Sequence, residues 1–269
     1  MQLRNLEFRV YDHNIRYDNR GLTKHERYWC ERKVPSIASM KFNGQHNTII
    51  CLQEVLYNQL LDIQEGLGEE WAYYGVGRDD GETQGEFAPI FYKKCEWELI
   101  KCETHWLSET PEVPSIGWDA ALKRIVSYVR LRHYSTGREI GVFNTHYDHQ
   151  GLTARKESSK LIVTLMKEEM CQVPVVLTGD FNSSRDDEAY KTLSKDLDDS
   201  GLLLSEDLRY GHSLTFSGFN SNDKPNYIDF IWLPRNRGLC LKTFGILHSE
   251  FHHFKFSDHR PVCVDLELR

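Results

Sequence analysis

Val173-Pro174-Val175-Val176-Leu177-Thr178-Gly179-Asp180-Phe181-Asn182-Ser183 begins as a buried strand and ends in polar chemistry. Its first half is apolar and β-branched, and Gly179 reads as its stop. An acid and an amide follow. Residues i and i+2 of a strand share a face, so Asp180 and Asn182 point the same way if the extended geometry persists. A proton acceptor beside a neutral hydrogen-bond donor suits orienting a water next to an electron-rich oxygen. An Asp/Asn turn closing a strand accounts for the same residues equally well. What separates the two readings is whether other strands end in matching groups.

Outward from this run, strands and helices alternate in groups. Strand-like runs are Leu6 to Asn14, Thr48 to Gln53, Tyr73 to Gly77, Phe87 to Tyr92, Trp97 to Trp106, Ile125 to His133 and Glu139 to His146. After the opening run come Leu214 to Gly218, Tyr227 to Leu233, Leu239 to Leu247 and Val262 to Leu268. Helical spacing marks Thr23 to Phe42, interrupted by Pro35, then Leu56 to Leu67, Leu152 to Met170 and Asp186 to Leu193. Consecutive strands with helices between only some of them favour two stacked, mainly antiparallel β-sheets flanked by helices over a doubly wound parallel sheet.

The chain has 269 residues, 40% of them hydrophobic, enough for one large core. No linker, repeat or low-complexity segment divides it, so residues 1–269 are expected to form a single domain. A net charge of -7 argues against gripping long duplex DNA through general basicity. Residues 1–20 carry Arg4, Glu7, Arg9, Asp12, Arg16 and Asp18 with no apolar core region, and no run is long enough to span a bilayer. Seven scattered cysteines contain no CxxC. That set fits reduced thiols and a cytoplasmic protein, with Cys51 and Cys171 as small core residues.

Several strand ends do carry matching polar groups. Asn14 and Arg16 alternate onto one face and suit a phosphate or a metal; a polar turn is the competing explanation. Glu54 follows the buried run Ile49-Ile50-Cys51-Leu52, where its carboxylate is either a hard-metal ligand or a first-turn helix acid. Asn144-Thr145-His146-Tyr147-Asp148-His149 replaces apolar residues at a strand end. Asp229 interrupts an apolar strand, and a buried carboxylate needs a partner, a histidine being the natural one. Ser257-Asp258-His259-Arg260-Pro261 supplies an acid, an imidazole and a cation together. His146, Asp148 and His149 also fit the latter part of the HxHxDH zinc motif of metallo-β-lactamase-like hydrolases, with Asn144 where the first histidine belongs.

In order, Asn14-Ile15-Arg16, Leu52-Gln53-Glu54, Asn144-Thr145-His146, Gly179-Asp180-Phe181-Asn182, Tyr227-Ile228-Asp229 and Ser257-Asp258-His259-Arg260-Pro261 resemble the endonuclease/exonuclease/phosphatase superfamily. The resemblance spans nearly the whole chain. It implies a four-layer α/β sandwich and a Mg²⁺- or Mn²⁺-dependent phosphoesterase. It also implies roles. Glu54 is the main metal ligand, with Asn14 and Asp258 near the metal. Asp180 positions or deprotonates the attacking water, and Asn182 supports water and phosphate. His259, oriented by Asp229, contacts the phosphate, and His146 contacts it from the other side with Glu86 as its partner. Arg124, and Arg16 with it, are expected on the phosphate.

Two stretches, Gly75 to Gly81 and Trp106 to Asp119, resemble a mainly microbial branch of the superfamily. Trp residues in such loops either stack on a base or sugar or pack beneath the loop. Asp12-His13 departs from the Thr or Ser and aromatic residue usual before Asn14, and should alter packing behind the metal. The expected substrate is a phosphate ester, a phosphodiester first, with short nucleic acids, nucleotides and small phospho-compounds included. No protein partner is expected. A zinc hydrolase and a catalytically inactive binding module on the same fold are the alternatives.

Overall fold

A computed structural model of the chain describes residues 5–220, 222–235, 238–251 and 253–269. A seven-stranded sheet contains β1 (Leu6–Asn14), β2 (Thr48–Gln53), β3 (Trp71–Tyr74), β4 (Ile90–Lys93), β10 (Arg209–Gly211), β12 (Leu239–Ile246) and β15 (Val262–Leu268), in the order β10-β12-β15-β1-β2-β4-β3. A six-stranded sheet contains β5 (Trp97–Trp106), β6 (Ile125–His133), β7 (Glu139–His146), β8 (Val175–Asp180), β9 (Leu197–Asp199) and β11 (Asp229–Pro234), in the order β5-β6-β7-β8-β11-β9. A small hairpin joins β13 (Glu250–Phe251) to β14 (Phe254–Lys255). Most pairings are antiparallel; β1 with β2, β7 with β8 and β10 with β12 are parallel.

Helices complete four layers. Helices α1 (Trp29–Asn43) and α2 (Tyr57–Leu67) place Trp29, Met40, Leu60, Ile63 and Leu67 in one cluster with Tyr11, Ile50 and Phe91 of the first sheet. Helices α3 (Leu152–Met170) and α4 (Glu188–Leu193) place Ile162, Met166, Ala189 and Leu193 with the second sheet. The same core joins Val10, Ile49 and Val264 of the first sheet to Val142, Val176 and Ile231 of the second. Each such fully buried aliphatic side chain contributes roughly 1.5–3 kcal/mol. The two stacked, mainly antiparallel sheets flanked by helices are those expected from the strand pattern.

Some boundaries differ from the sequence reading, each for a local reason. Helix α1 runs through Pro35 and begins only at Trp29. Upstream, the Glu26 carboxylate is turned inward, accepting from Thr23 N and Oγ1 and from Arg16 Nε, which holds a non-helical turn. Leu214 to Gly218 is not a strand; Phe216 alone bridges to Asn226 and to His259. Cys51 is buried, but Cys171 lies exposed at the end of α3.

The opening run also departs from its reading. Strand β8 does not stop at Gly179 but continues to Asp180. Glycine is needed there because φ is +147°, and a Cβ would lie 2.1 Å from Thr145 O on the neighbouring strand. The tight approach brings β7 and β8 together at the level where their polar ends begin. Polar side chains then tie sheet to sheet. Asn144 Nδ2 donates to Leu52 O and Pro89 O, and Gln53 Nε2 donates to Asn144 Oδ1 and Asp12 Oδ1. Asp12 and His13 are both buried. No helix among the described residues is long and apolar enough to cross a membrane.

Candidate active site

Strand register builds the site. His146 is the register partner of Asp180 across the parallel β7/β8 pair, and Asp180 is the partner of Asp229 across the antiparallel β8/β11 pair. Three polar residues therefore form one row over three adjacent strands, on the face that meets the first sheet. His259 reaches the row from the segment before β15. Its Nδ1 lies 2.9 Å from both carboxylate oxygens of Asp229, and its Nε2 lies 3.6 Å from Asp180 Oδ2. Ser257 Oγ accepts from His259 N and donates to Asn14 O, fixing that segment to the end of β1.

Two strand ends close with the same turn. Asn14 Oδ1 accepts from Arg16 N at 3.0 Å, and Asp180 Oδ1 accepts from Asn182 N at 2.9 Å. Arg16 and Asn182 both adopt positive φ, 61° and 46°, as does Glu54 at 58°. Such conformations cost about 1–2 kcal/mol each and persist only where their surroundings enforce them. The intervening Ile15 and Phe181 are buried and anchor the two turns. So the extended geometry does not persist past Asp180 or Asn14. The turn and the site are one structure, and the Asx turn is what delivers Asn182. Its Nδ2 donates to Tyr147 O and to His146 Nε2, each at 3.0 Å.

The first sheet adds the carboxylates. Asn14 Nδ2 lies 2.9 Å from Glu54 Oε1 and 2.9 Å from Asp180 Oδ2, bracing the two acids across the sheet interface. Glu54 Oε2 accepts from Tyr17 N. Burial raises Asp180, the nearby Asp229 charge raises it further, and the histidines only partly offset this. Burial also pushes the Asp258 carboxyl up to about 6. His259 moves the other way for an imidazole: burial opposes its charge, yet Asp229 and Asp180 hold it well above 6.5. Burial and the Arg124 charge push His146 down to about 3, leaving it neutral.

Ligand atoms of Glu54, Asp180 and His259 lie within 4.8 Å of one another, and the buried Asp258 Oδ1 has no hydrogen-bond partner. Crowded carboxylate oxygens with one left unsatisfied fit a hard divalent cation, Mg²⁺ or Mn²⁺. Of the expected metal residues, Glu54 is central and Asp258 lines the same cavity. Asn14 braces the acids through Nδ2, while its Oδ1 accepts from Arg16 N. The zinc-type arrangement does not converge. Asn144 is tied between the sheets, Asp148 accepts from Gln150 N and Gly151 N, and His149 leans on Arg124. Among the described residues the metal-competent group contains none of His146, Asp148 and His149.

Glu86 stands 3.5 Å from His146 Nδ1, which has no hydrogen-bond partner, and is gripped instead by the Arg78 guanidinium at 2.8 and 3.0 Å. Arg124 is buried against Asp148 and His149 with its NH1 unpaired. Arg16 is held by Glu26 and lies 3.8 Å from Glu54. Trp106 packs beneath its loop, its Nε1 donating to Arg78 O. Arg16, Arg78, Glu86, Arg124 and His146 line a cavity of about 770 Å³.

Three contributors escaped the sequence reading. Arg78 sat within a stretch noted only as peculiar to a branch. Thr215 Oγ1 accepts from Ile228 N and Asp229 N, setting the start of β11. Arg32, fully buried, donates to carbonyls of Arg27, Ile15, Arg16, Tyr17 and Phe256. A lone arginine in a charged helix carries no sequence signal for that role.

Comparison with known proteins agrees with this geometry. The model of the Endonuclease/Exonuclease/phosphatase family matches residues 29–259. A solved endonuclease/exonuclease/phosphatase family protein from Bacteroides thetaiotaomicron is 33% identical, with a TM-score of 0.92 over 100% of this chain and 97% of that one. The solved mannosyl-6-phosphatase of Bacteroides thetaiotaomicron is 34% identical, with a TM-score of 0.86 over 96% of this chain and 99% of that one. Nocturnin of Drosophila melanogaster is 28% identical over 176 residues, 61% of this chain and 26% of its own length. The chain spans about a third or less of the length of the curated relatives it matches.

Proposed function

We propose that this chain, which belongs to the endonuclease/exonuclease/phosphatase family, is a Mg²⁺- or Mn²⁺-dependent phosphoester hydrolase acting by in-line attack of water on a small phosphorylated compound, a sugar phosphate monoester first among them. The observation that carries the reaction is the row His146–Asp180–Asp229, capped by a His259 imidazolium and facing Glu54 across the sheet interface.

Each side chain then has a task. Asp180, with its raised affinity for protons, accepts the proton of the attacking water as the P–O bond opposite it breaks, the departing alkoxide takes its proton from solvent, and Asn14 fixes the Asp180 carboxylate. His259 donates from Nε2 to a phosphoryl oxygen, while Asp229 holds its ring and its charge. The unpaired NH1 of Arg124 offers a second cationic donor. His146 and Asn182 brace one another beside the same oxygens. A divalent cation held by Glu54 with Asp258 would polarise the phosphoryl group as a Lewis acid.

The sequence favours a diester; three observations move the reading toward a monoester. A dianionic phosphate needs several cationic contacts, and His259 and Arg124 supply two beyond the metal. The cavity suits a phosphorylated monosaccharide or mononucleotide rather than a duplex, and a mannosyl-6-phosphatase is 34% identical over nearly the full length. The test is a panel of monoesters and diesters with Mg²⁺ or Mn²⁺, with and without chelator. Metal-dependent release of phosphate from hexose phosphates, at higher kcat/KM than from a chromogenic diester, is expected. Diester preference would return the substrate to the earlier reading. Inertness toward the whole panel would favour a binding module.

A further inference from the structure

The Arg78–Glu86 pair has no part in the steps above, yet it lines the cavity. Both guanidinium NH groups are engaged by the carboxylate, and the two side chains are only 10% and 16% exposed. A bidentate pair of this kind is neutral overall and fixed in orientation. Its place is set beside the phosphate machinery, since Glu86 Oε2 lies 3.5 Å from His146 Nδ1.

Backbone contacts hold the pair rigidly. Arg78 N donates to Glu86 O and Asp79 N to Gln84 O, closing the loop on itself. Trp106 Nε1 donates to Arg78 O, Lys123 Nζ donates to Asp79 O, and Leu107 N donates to Arg124 O. The two branch-specific stretches thus clamp Arg78 and Arg124 into one wall. Trp106 lies buried behind it and offers no face for stacking a base.

Arg78 Nε and His146 Nδ1 are buried and lack hydrogen-bond partners. Those two atoms are closed off from the cavity, but Arg78 NH1 and NH2 each keep a second hydrogen beyond the one given to Glu86, so the wall combines donors with the acceptor oxygens of Glu86. A second anionic group finds no free charge on Arg78, because Glu86 already neutralises it. A hydroxyl, which both donates and accepts, matches this mixture.

We infer that Arg78, with Glu86, is the specificity-determining residue for the leaving group and selects a hydroxyl-rich one, a sugar or polyol, over an apolar one. This rests on the phosphoester hydrolysis proposed above. Removing a partner from a site built to bind hydroxyls discriminates far more strongly than changing an apolar contact.

The test compares two alkyl monoesters with similar chemistry at phosphorus, a hexose 6-phosphate and hexyl phosphate. In the wild type, kcat/KM is expected to favour the hexose ester, and in R78M the ratio of the two kcat/KM values is expected to fall at least 30-fold. A ratio within threefold of the wild type overturns the inference, as does a wild type that turns over both esters equally. Should R78M not fold, R78K keeps the charge but loses the fork, and the same ratio decides. Wild-type protein inert to both esters would overturn the proposed reaction itself, an outcome distinct from an unchanged ratio.

Discussion

Both carboxylate oxygens of Asp229 lie 2.9 Å from His259 Nδ1, and Asp229 is the register partner of Asp180. One acid thus orients and charges the imidazole while its neighbour faces the imidazole's other nitrogen. Asp229→Asn is expected to lower kcat by about 10²–10³, the scale of misorienting a catalytic imidazole. The folded-state pKa of His259 is raised, so its contribution to stability is full below about 6.5 and is lost as pH rises through the higher folded value. Metal-free wild type should therefore lose urea stability as pH climbs above 6.5, and the variant should lose less. Equal slopes for the two proteins would break the assignment.

Asp258 predicts how metal binding responds to acid. Its carboxyl is pushed up to about 6 by burial, so binding a cation there must displace a proton below that pH. Mn²⁺ affinity, measured by titration calorimetry, is expected to weaken about tenfold per pH unit from 6 to 5. Asp258→Asn should flatten that dependence. A wild-type affinity unchanged over this range would remove Asp258 from the metal.

Arg32 predicts a structural cost paired with a functional one. Its guanidinium answers carbonyls at residues 15, 16 and 17, on both sides of the Tyr17 amide that binds Glu54. Arg32→Met leaves the Ile15 carbonyl without its donor, while Arg16 O keeps Gln59 Nε2 and Tyr17 O keeps Asn19 N, and is expected to cost about 2–4 kcal/mol in urea denaturation. A loss under 1 kcal/mol would show that the segment holds without it.

Gly179→Ala tests the close approach of β7 and β8. The added Cβ would meet Thr145 O at 2.1 Å, and φ of +147° already excludes alanine. About 3 kcal/mol of destabilisation is expected, together with a drop in kcat because Asp180 is the next residue. Wild-type activity and melting temperature in this variant would show that β8 can shift freely.

Much of the fold was legible because strands covered on both faces leave apolar runs such as Ile49-Ile50-Cys51-Leu52 in the chain order. Strand β9 and the hairpin β13–β14 were not legible, since elements of two or three residues are too short to show a period. The site was legible wherever a carboxylate or imidazole interrupts an apolar run, as at Asp229. Arg78 and Thr215 were not, because Arg78 meets Glu86 only through the closure of an irregular loop and Thr215 bonds to amides of residues 228 and 229, and no local pattern marks either.

The sequence by itself determined which residues stand at strand ends, and that acid, amide and imidazole recur there. Side-chain alternation and apolar patterning are local properties, written residue by residue. Only the tertiary structure decided that His146, Asp180 and Asp229 share one row, that Asn182 arrives through a left-handed turn, and that Glu86 is held by Arg78. Register, turn handedness and pairing depend on where separate strands meet, and that is settled by packing two sheets against each other.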